Sequence, residues 1–136
     1  KNVYITKKEK KALFSGKKDI IASGKCGKNV KYMVTKDGVL TLKGKGATYS
    51  YNSQKSAPWE NQADMIKCIK VQSGITKLGN QLFMNCNAVQ KVSISQSVKV
   101  IGSRTFYGCT CLRKLKLPKN IKSIGDKAFS TWTKVE

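Results

Sequence analysis

The second half of the sequence repeats with a period of 23 residues, in three units at 69–91, 92–114 and 115–136. Seven positions recur in register: four aliphatic columns, a glycine column, a phenylalanine column and a cysteine column. A unit this short cannot bury its own apolar side chains, so successive units must stack as coils of a solenoid. The three non-aliphatic columns contain Gly79, Gly102 and Gly125; Phe83, Phe106 and Phe129; and Cys86 and Cys109, followed by Trp132.

Each unit opens with apolar residues two positions apart, such as Ile69 and Val71 in the first unit. This spacing predicts one short strand at the start of each coil, with the intervening polar side chains pointing outward. Stacked coils would pair these strands into a parallel sheet and place phenylalanine on phenylalanine. The glycine column predicts either a positive φ or a close approach of two backbones.

The repeats resemble the BspA-like leucine-rich repeat family, most clearly in LKLPKNIKSIGDKAF at 115–129. The first unit departs from that pattern with Leu82 where the third has Ala128, and the third replaces cysteine with Trp132. The stretch SGKCGKNVKYMVTKDGVLTLKGKGATYSY at 23–51, with Ala57-Pro58-Trp59, also resembles the β-rich cap that precedes such arrays. The resemblance implies a β-rich leucine-rich-repeat solenoid of three 23-residue coils, with a short parallel sheet and an N-terminal β-hairpin cap.

The residues of the cap themselves predict a hairpin. Val30, Tyr32 and Val34 alternate along the chain, and Asp37-Gly38 is a strong turn signal before a second alternating run. Such a cap would cover the apolar end of the first coil. The predicted organisation is therefore a linker or short helical segment at 1–21, the cap at 22–66 and three repeats at 67–136. The next strand would begin near residue 138, so we expect an array that is truncated or that self-associates through an open C-terminal end.

Positive charge is the strongest signal of a binding surface. The chain has 27 Lys and Arg against 7 Asp and Glu, a net charge of +20. Strand alternation predicts a face of outward lysine side chains. Such a face could bind an acidic polysaccharide, a teichoic-acid-like polymer, nucleic acid or an acidic protein. The alternative is that the face is only solvated. Because only Arg104 and Arg113 are arginine, specific DNA recognition is disfavoured. The candidate ligand-binding residues are Lys70, Lys91, Ser93, Lys114 and Lys116, with Tyr107 as an outward aromatic side chain.

Catalytic and metal-binding signals are weak. The sequence contains no histidine, which removes the commonest general base and every His-containing zinc site. Only Glu60 and Asp64 are carboxylates close in sequence, and their spacing suits a cap better than an active site. Cys86 and Cys109 are interpreted as small buried hydrophobes, with a disulfide or a metal site as alternatives, while Cys68 falls on the outer face. We predict no catalytic residue, cofactor, metal or membrane span.

The family resemblance implies a secreted or cell-surface protein linked to adhesion to host matrix proteins or other cells. The sequence therefore predicts a non-enzymatic extracellular binding module that recognises a host or cell-surface protein through its repeats. One alternative is a carbohydrate-binding module for acidic glycans within a larger secreted protein. Another is a structural spacer.

Overall fold

The computed structural model describes residues 19–129, so most of the predicted linker or helical segment at 1–21, and Trp132, lie outside the described residues. Nine strands form two sheets, a five-stranded sheet of order β1-β2-β3-β5-β7 and a four-stranded sheet of order β4-β6-β8-β9. A single turn of 3-10 helix, Glu60–Gln62, precedes the repeats. The strands are β1 Ile20–Gly27, β2 Val30–Thr35, β3 Val39–Gly44, β4 Gly46–Ala47, β5 Cys68–Val71, β6 Ile75–Leu78, β7 Lys91–Ile94, β8 Val100–Ile101 and β9 Ser123–Ile124.

The five-stranded sheet joins the cap to the repeats. β2 and β3 pair antiparallel around Gly38, which has a φ of +85°, and this confirms the predicted hairpin. β3 then pairs in parallel with β5, with Leu40 opposite Ile69, and β5 pairs in parallel with β7. β1 pairs antiparallel with β2 and begins two residues before the predicted start of the cap. The cap therefore contributes three strands to the sheet, where the sequence predicted two.

A second parallel sheet, absent from the sequence prediction, closes the other side of each coil. Its strands run from β4 in the cap through β6 and β8 to β9. The aliphatic columns supply its inward side chains, including Ile75, Leu78 and Ile101, which are fully buried. The first and second coils thus contribute a strand to each of the two sheets, with the core between the sheets.

The third coil departs from the predicted pattern. Leu115 is buried and Leu117 half-buried, as strand alternation requires, but residues 112–118 form no strand. The prediction that a strand opens every coil is therefore wrong for this coil. Pro118 has no N–H to donate to a ladder, and within residues 19–129 this coil has a neighbouring coil on one side only. The coil stays in register through β9, which pairs with β8.

A ladder of aromatic rings runs through the core and across the boundary between cap and repeats. Phe83 and Phe106 have ring centroids 5.4 Å apart, and Phe106 and Phe129 are separated by 5.7 Å. Trp59 continues the ladder into the cap, at 5.9 Å from Phe83 and 5.2 Å from Tyr32. Its Nε1–H donates a hydrogen bond to the Leu82 carbonyl oxygen at 3.1 Å. The cap therefore covers the first coil with a ring that matches the repeat column.

The glycine column marks close approach of neighbouring coils. A Cβ at Gly102 would lie 2.6 Å from Asn80 Oδ1 and 2.7 Å from the backbone of the preceding coil. None of the three column glycines has a positive φ, so the close-approach interpretation is correct and the positive-φ alternative is wrong. Positive φ values of 55° to 58° recur instead two residues later in each coil, at Gln81, Arg104 and Lys127.

Candidate binding groove

The outward face of the five-stranded sheet forms a basic groove with a volume of about 850 Å³. Strand alternation builds it, because β5 buries Ile69 and Val71 and thereby turns Lys70 outward. β7 does the same for Lys91 and Ser93. We call this surface the basic groove; it is lined by Lys43, Gly44, Lys45, Cys68, Lys70, Val71, Gln72, Ser73, Lys91, Ser93 and Ser95.

Strand pairing sets the chemical pattern of the groove. Lys70 lies between Thr41 of β3 and Ser93 of β7, and Cys68 lies opposite Lys91. Neighbouring strands are about 4.8 Å apart, so each of these two lysines has a hydroxyl or a thiol as its cross-strand neighbour. The groove therefore offers ammonium groups separated by uncharged hydrogen-bonding side chains.

The structure brings together three of the six predicted ligand-binding residues, namely Lys70, Lys91 and Ser93. Lys114 and Lys116 lie on either side of Leu115, where the second coil meets the third. Both are exposed, but neither lines the groove, because residues 112–118 form no strand beside β7. Tyr107 is half-buried in a turn, where its carbonyl accepts a hydrogen bond from the Asn85 N–H at 2.7 Å. Of the six predicted residues, Lys70, Lys91 and Ser93 therefore line the basic groove, and the other three do not.

The cap adds lysines that the sequence prediction missed. Lys43 and Lys45 line the basic groove, and Lys43 also lines an adjoining pocket of about 760 Å³. We call this second surface the cap pocket. The alternation in β2 already placed Lys31 outward, but only the pairing of β3 with β5 shows that this face continues into the repeats. The cap pocket is lined by Lys25, Lys28, Asn29, Val30, Lys31, Met33, Lys43 and Gly44.

The positive charge of these surfaces is not compensated locally. No acidic residue lines the basic groove or the cap pocket. Glu60 and Asp64 instead line a separate pocket beside Trp59, at the start of the repeats. Within the described chain, the lysines of the basic groove form no ion pair. The groove is therefore a region of positive potential that attracts anions.

All five cysteines are free thiols. Burial raises the pKa of Cys26 and of Cys109 to about 12, and it also raises the pKa of Cys86. The Cys109 Sγ donates to the Phe83 carbonyl oxygen at 3.3 Å, so the thiol is held in its protonated form. Cys68 is half-buried in the basic groove and Cys111 is exposed.

Residues 19–129 include no group of three or more Cys, Asp or Glu side chains placed to hold a metal ion. No helix in that range combines the length and apolar character needed to cross a membrane.

Comparison with known proteins supports the family resemblance. The profile of the BspA type leucine rich repeat region matches residues 60–136 with six copies. A leucine-rich repeat protein from Eubacterium ventriosum ATCC 27560 is similar in structure, with a TM-score of 0.67 and 26% identity, over 84% of this chain and 36% of that one. One from Bacteroides capillosus ATCC 29799 has a TM-score of 0.52 and 16% identity, over 83% of this chain and 96% of that one.

The chain thus spans little more than a third of the length of the Eubacterium protein. A search of curated proteins gave no match.

Proposed function

Since the chain belongs to the family of BspA-type leucine-rich repeat proteins, we propose that it is a non-enzymatic module that binds a ligand on the outside of a cell. The observation that carries the proposal is the basic groove. It is open to solvent and spans strands from the cap and two repeats. Apart from Gly44 and Val71, its lining residues carry ammonium, hydroxyl, amide or thiol groups, which suit recognition of an anionic surface.

The first candidate ligand is an acidic region of a host matrix protein or of another cell-surface protein. Uncompensated lysines steer such a partner towards the groove, and complementary charge favours its orientation there. The family likeness supports the extracellular or cell-surface location. It also supports adhesion as the role of the parent protein.

The second candidate ligand is an acidic glycan. It is favoured by the position of Lys70 between Thr41 and Ser93 of the neighbouring strands, and by Ser93 and Ser95, which line the same groove as Lys91. Ammonium groups would pair with carboxylate or sulfate groups, while hydroxyl side chains would bond to the sugar hydroxyls between them. The groove therefore supports a carbohydrate-binding module as an alternative to a protein-binding one.

A charge-reversal experiment tests the role of the groove. The variant Lys70→Glu/Lys91→Glu is compared with Lys77→Glu/Lys122→Glu, which changes net charge equally at exposed lysines outside the groove. Binding is measured against purified matrix proteins and acidic glycans at low and physiological salt. We expect the groove variant to lose at least about tenfold in affinity and the control to lose much less.

Binding of the unchanged protein should also weaken as salt rises, because the exposed lysines are screened. Equal losses in the two variants, or affinity that does not respond to salt, would refute a role for the groove. Absence of binding to every protein and glycan at low salt would leave a structural spacer as the better interpretation.

A further inference from the structure

A row of three lysines crosses the cap on the outward face of the sheet. Lys25 lies directly opposite Lys31 in the pairing of β1 with β2, and Lys31 lies directly opposite Lys43 in the pairing of β2 with β3. All three side chains are exposed. Because neighbouring strands are about 4.8 Å apart, the row presents positive charges at nearly regular intervals across three strands.

This row is continuous with the basic groove. Lys43 and Gly44 line both the basic groove and the cap pocket, so the two surfaces adjoin. The outward face of β3 leads directly to the repeats, since Thr41 lies opposite Lys70. Across the five strands from β1 to β7 the combined surface extends roughly 19 Å, by four strand spacings. Its exposed lysines are Lys25, Lys28, Lys31, Lys43, Lys45, Lys70 and Lys91.

The row of Lys25, Lys31 and Lys43 destabilises the folded protein when no ligand is bound. Like charges directly opposite each other destabilise a sheet, and Lys31 has a lysine on both sides. No acidic residue lines the cap pocket to offset them. An anionic group that bridges neighbouring ammonium groups would replace this repulsion with attraction. The cap thus presents a surface that a chain of evenly spaced anions fits better than a single small anion.

We propose that the cap and the first two repeats form one continuous site for an extended acidic polysaccharide. This inference rests on the proposed function and extends it from the repeats to the cap. Ser93, Ser95 and Gln72 of the basic groove and Asn29 of the cap pocket supply the uncharged groups that bond to sugar hydroxyls.

The lining of the site favours a polysaccharide over a nucleic acid. Neither the basic groove nor the cap pocket is lined by an aromatic side chain, so neither offers the ring platform on which unpaired bases stack. Neither is lined by arginine, the side chain that binds phosphates and base edges through two parallel hydrogen bonds. Recognition at this site depends on point charges and hydroxyl contacts.

The test measures binding of the full chain to defined probes. Heparin oligosaccharides of 4 and 12 sugars supply a sulfated ligand, polygalacturonate supplies a carboxylated one, and a 20-nucleotide single-stranded DNA and neutral dextran serve as comparisons. The cap variant is Lys25→Gln/Lys28→Gln/Lys31→Gln, which spares Lys43 because that residue also lines the basic groove, and the groove variant is Lys70→Gln/Lys91→Gln. The matched control, Lys55→Gln/Lys77→Gln/Lys122→Gln, removes three exposed lysines that line neither surface.

We expect the 12-sugar heparin to bind more tightly than the 4-sugar one, and the cap variant to lose about tenfold in affinity for the longer probe only. The control should lose less than about twofold. A cap variant with all three lysines changed to arginine should keep the binding, and circular dichroism should show unchanged folding in every variant. Dextran should not bind.

The outcomes separate the two proposals. If the groove variant loses binding while the cap variant binds like the unchanged protein, the continuous site is refuted and the proposed function stands. If the cap variant and the control lose equally, binding depends only on net charge and both proposals fail. Tighter binding of the DNA than of either polysaccharide, or no polysaccharide binding at low salt, would overturn the assignment of the ligand class.

Discussion

The cap, residues 20–66, and the repeats, residues 67–129, contribute to the same five-stranded sheet, but their strands are ordered in different ways. In the repeats, β5 and β7 run in parallel and each residue has its counterpart 23 positions later. In the cap, β1, β2 and β3 run antiparallel and no position recurs. A parallel array can be extended by copying one coil, whereas its first edge has to be closed by a segment with a different sequence.

The two regions also differ in how they distribute charge on the same outward face. In the repeats Lys70 is flanked by Thr41 and Ser93, while in the cap Lys31 is flanked by two lysines. In the cap, lysines are therefore direct cross-strand neighbours, whereas in the repeats uncharged side chains lie on both sides of Lys70. We expect the cap to respond more strongly than the repeats to salt and to polyanions.

The largest expected effect comes from removing the ring that joins the two regions. The Trp59 side chain is only 1% exposed and lies between Tyr32 and Phe83. Trp59→Ala should lower the free energy of unfolding by about 4 kcal/mol, because it leaves a cavity in the core and removes the hydrogen bond to Leu82. Urea denaturation followed by circular dichroism measures the loss.

A matched substitution separates packing from hydrogen bonding at this position. Trp59→Phe keeps a ring in the ladder but leaves the Leu82 carbonyl oxygen without its donor, so it should cost only about 1 to 2 kcal/mol. If Trp59→Ala instead produced two separate unfolding transitions, with the repeats melting as before, the cap and the repeats would be independent units and not one cooperative core.

An intermediate effect is expected from adding a methyl group where the coils touch. Gly102→Ala would place a Cβ within 2.7 Å of backbone atoms of the preceding coil, which can yield only if the coils separate. We expect a loss of roughly 2 kcal/mol in the free energy of unfolding. In the cap, a Cβ at Gly24 would meet side-chain atoms of Tyr32 at 3.2 Å and no backbone among its nearest neighbours, so Gly24→Ala requires only a small shift of that ring and thermal denaturation should show a change within about 0.5 kcal/mol. Similar losses in both variants would contradict the close-approach explanation.

The smallest effect concerns the lysine row. Lys31→Gln should raise the free energy of unfolding by about 0.5 kcal/mol at low salt, because it removes the positive charge that lies between those of Lys25 and Lys43. Lys70→Gln removes the same charge from a site flanked by hydroxyl groups and should change stability by less than about 0.2 kcal/mol. The difference should vanish in 1 M salt, where charges are screened within about 3 Å. A difference that persists in salt would show that charge repulsion is not its cause.

The sequence predicted the fold best where it is periodic. The 23-residue spacing identified the ring ladder, because each column repeats one environment, and it identified the column of Gly79, Gly102 and Gly125, although only the structure shows that this column marks coil contacts. It did not identify β1, whose pairing with β2 has irregularities between Ile20 and Ala22 and between Lys25 and Gly27. These irregularities break the alternation by which a strand is recognised in sequence. The second sheet was missed because several of its strands have only two residues, too few to show a period.

The sequence predicted those residues of the candidate site whose outward position follows from the alternation of inward and outward side chains along one strand. Alternation along β5 and β7 placed Lys70, Lys91 and Ser93 outward, and the structure gathers them in the basic groove. The same rule also predicts Lys114 and Lys116 on this face, but they do not line the groove, because residues 112–118 form no strand alongside β7. The lysines of the cap depend on pairing between segments distant in sequence, and a repeat pattern carries no information about such pairing.

The glycine column has a geometric consequence for longer arrays. At Gly102 one backbone rests against another, whereas four residues further along the coil the rings of Phe83 and Phe106 stack with their centroids 5.4 Å apart. The spacing of the coils at these two columns contributes to the angle between one coil and the next, and a fixed angle accumulates with every coil added. In a longer array of such coils, replacing one glycine would therefore bend the axis and redirect whatever lies beyond it.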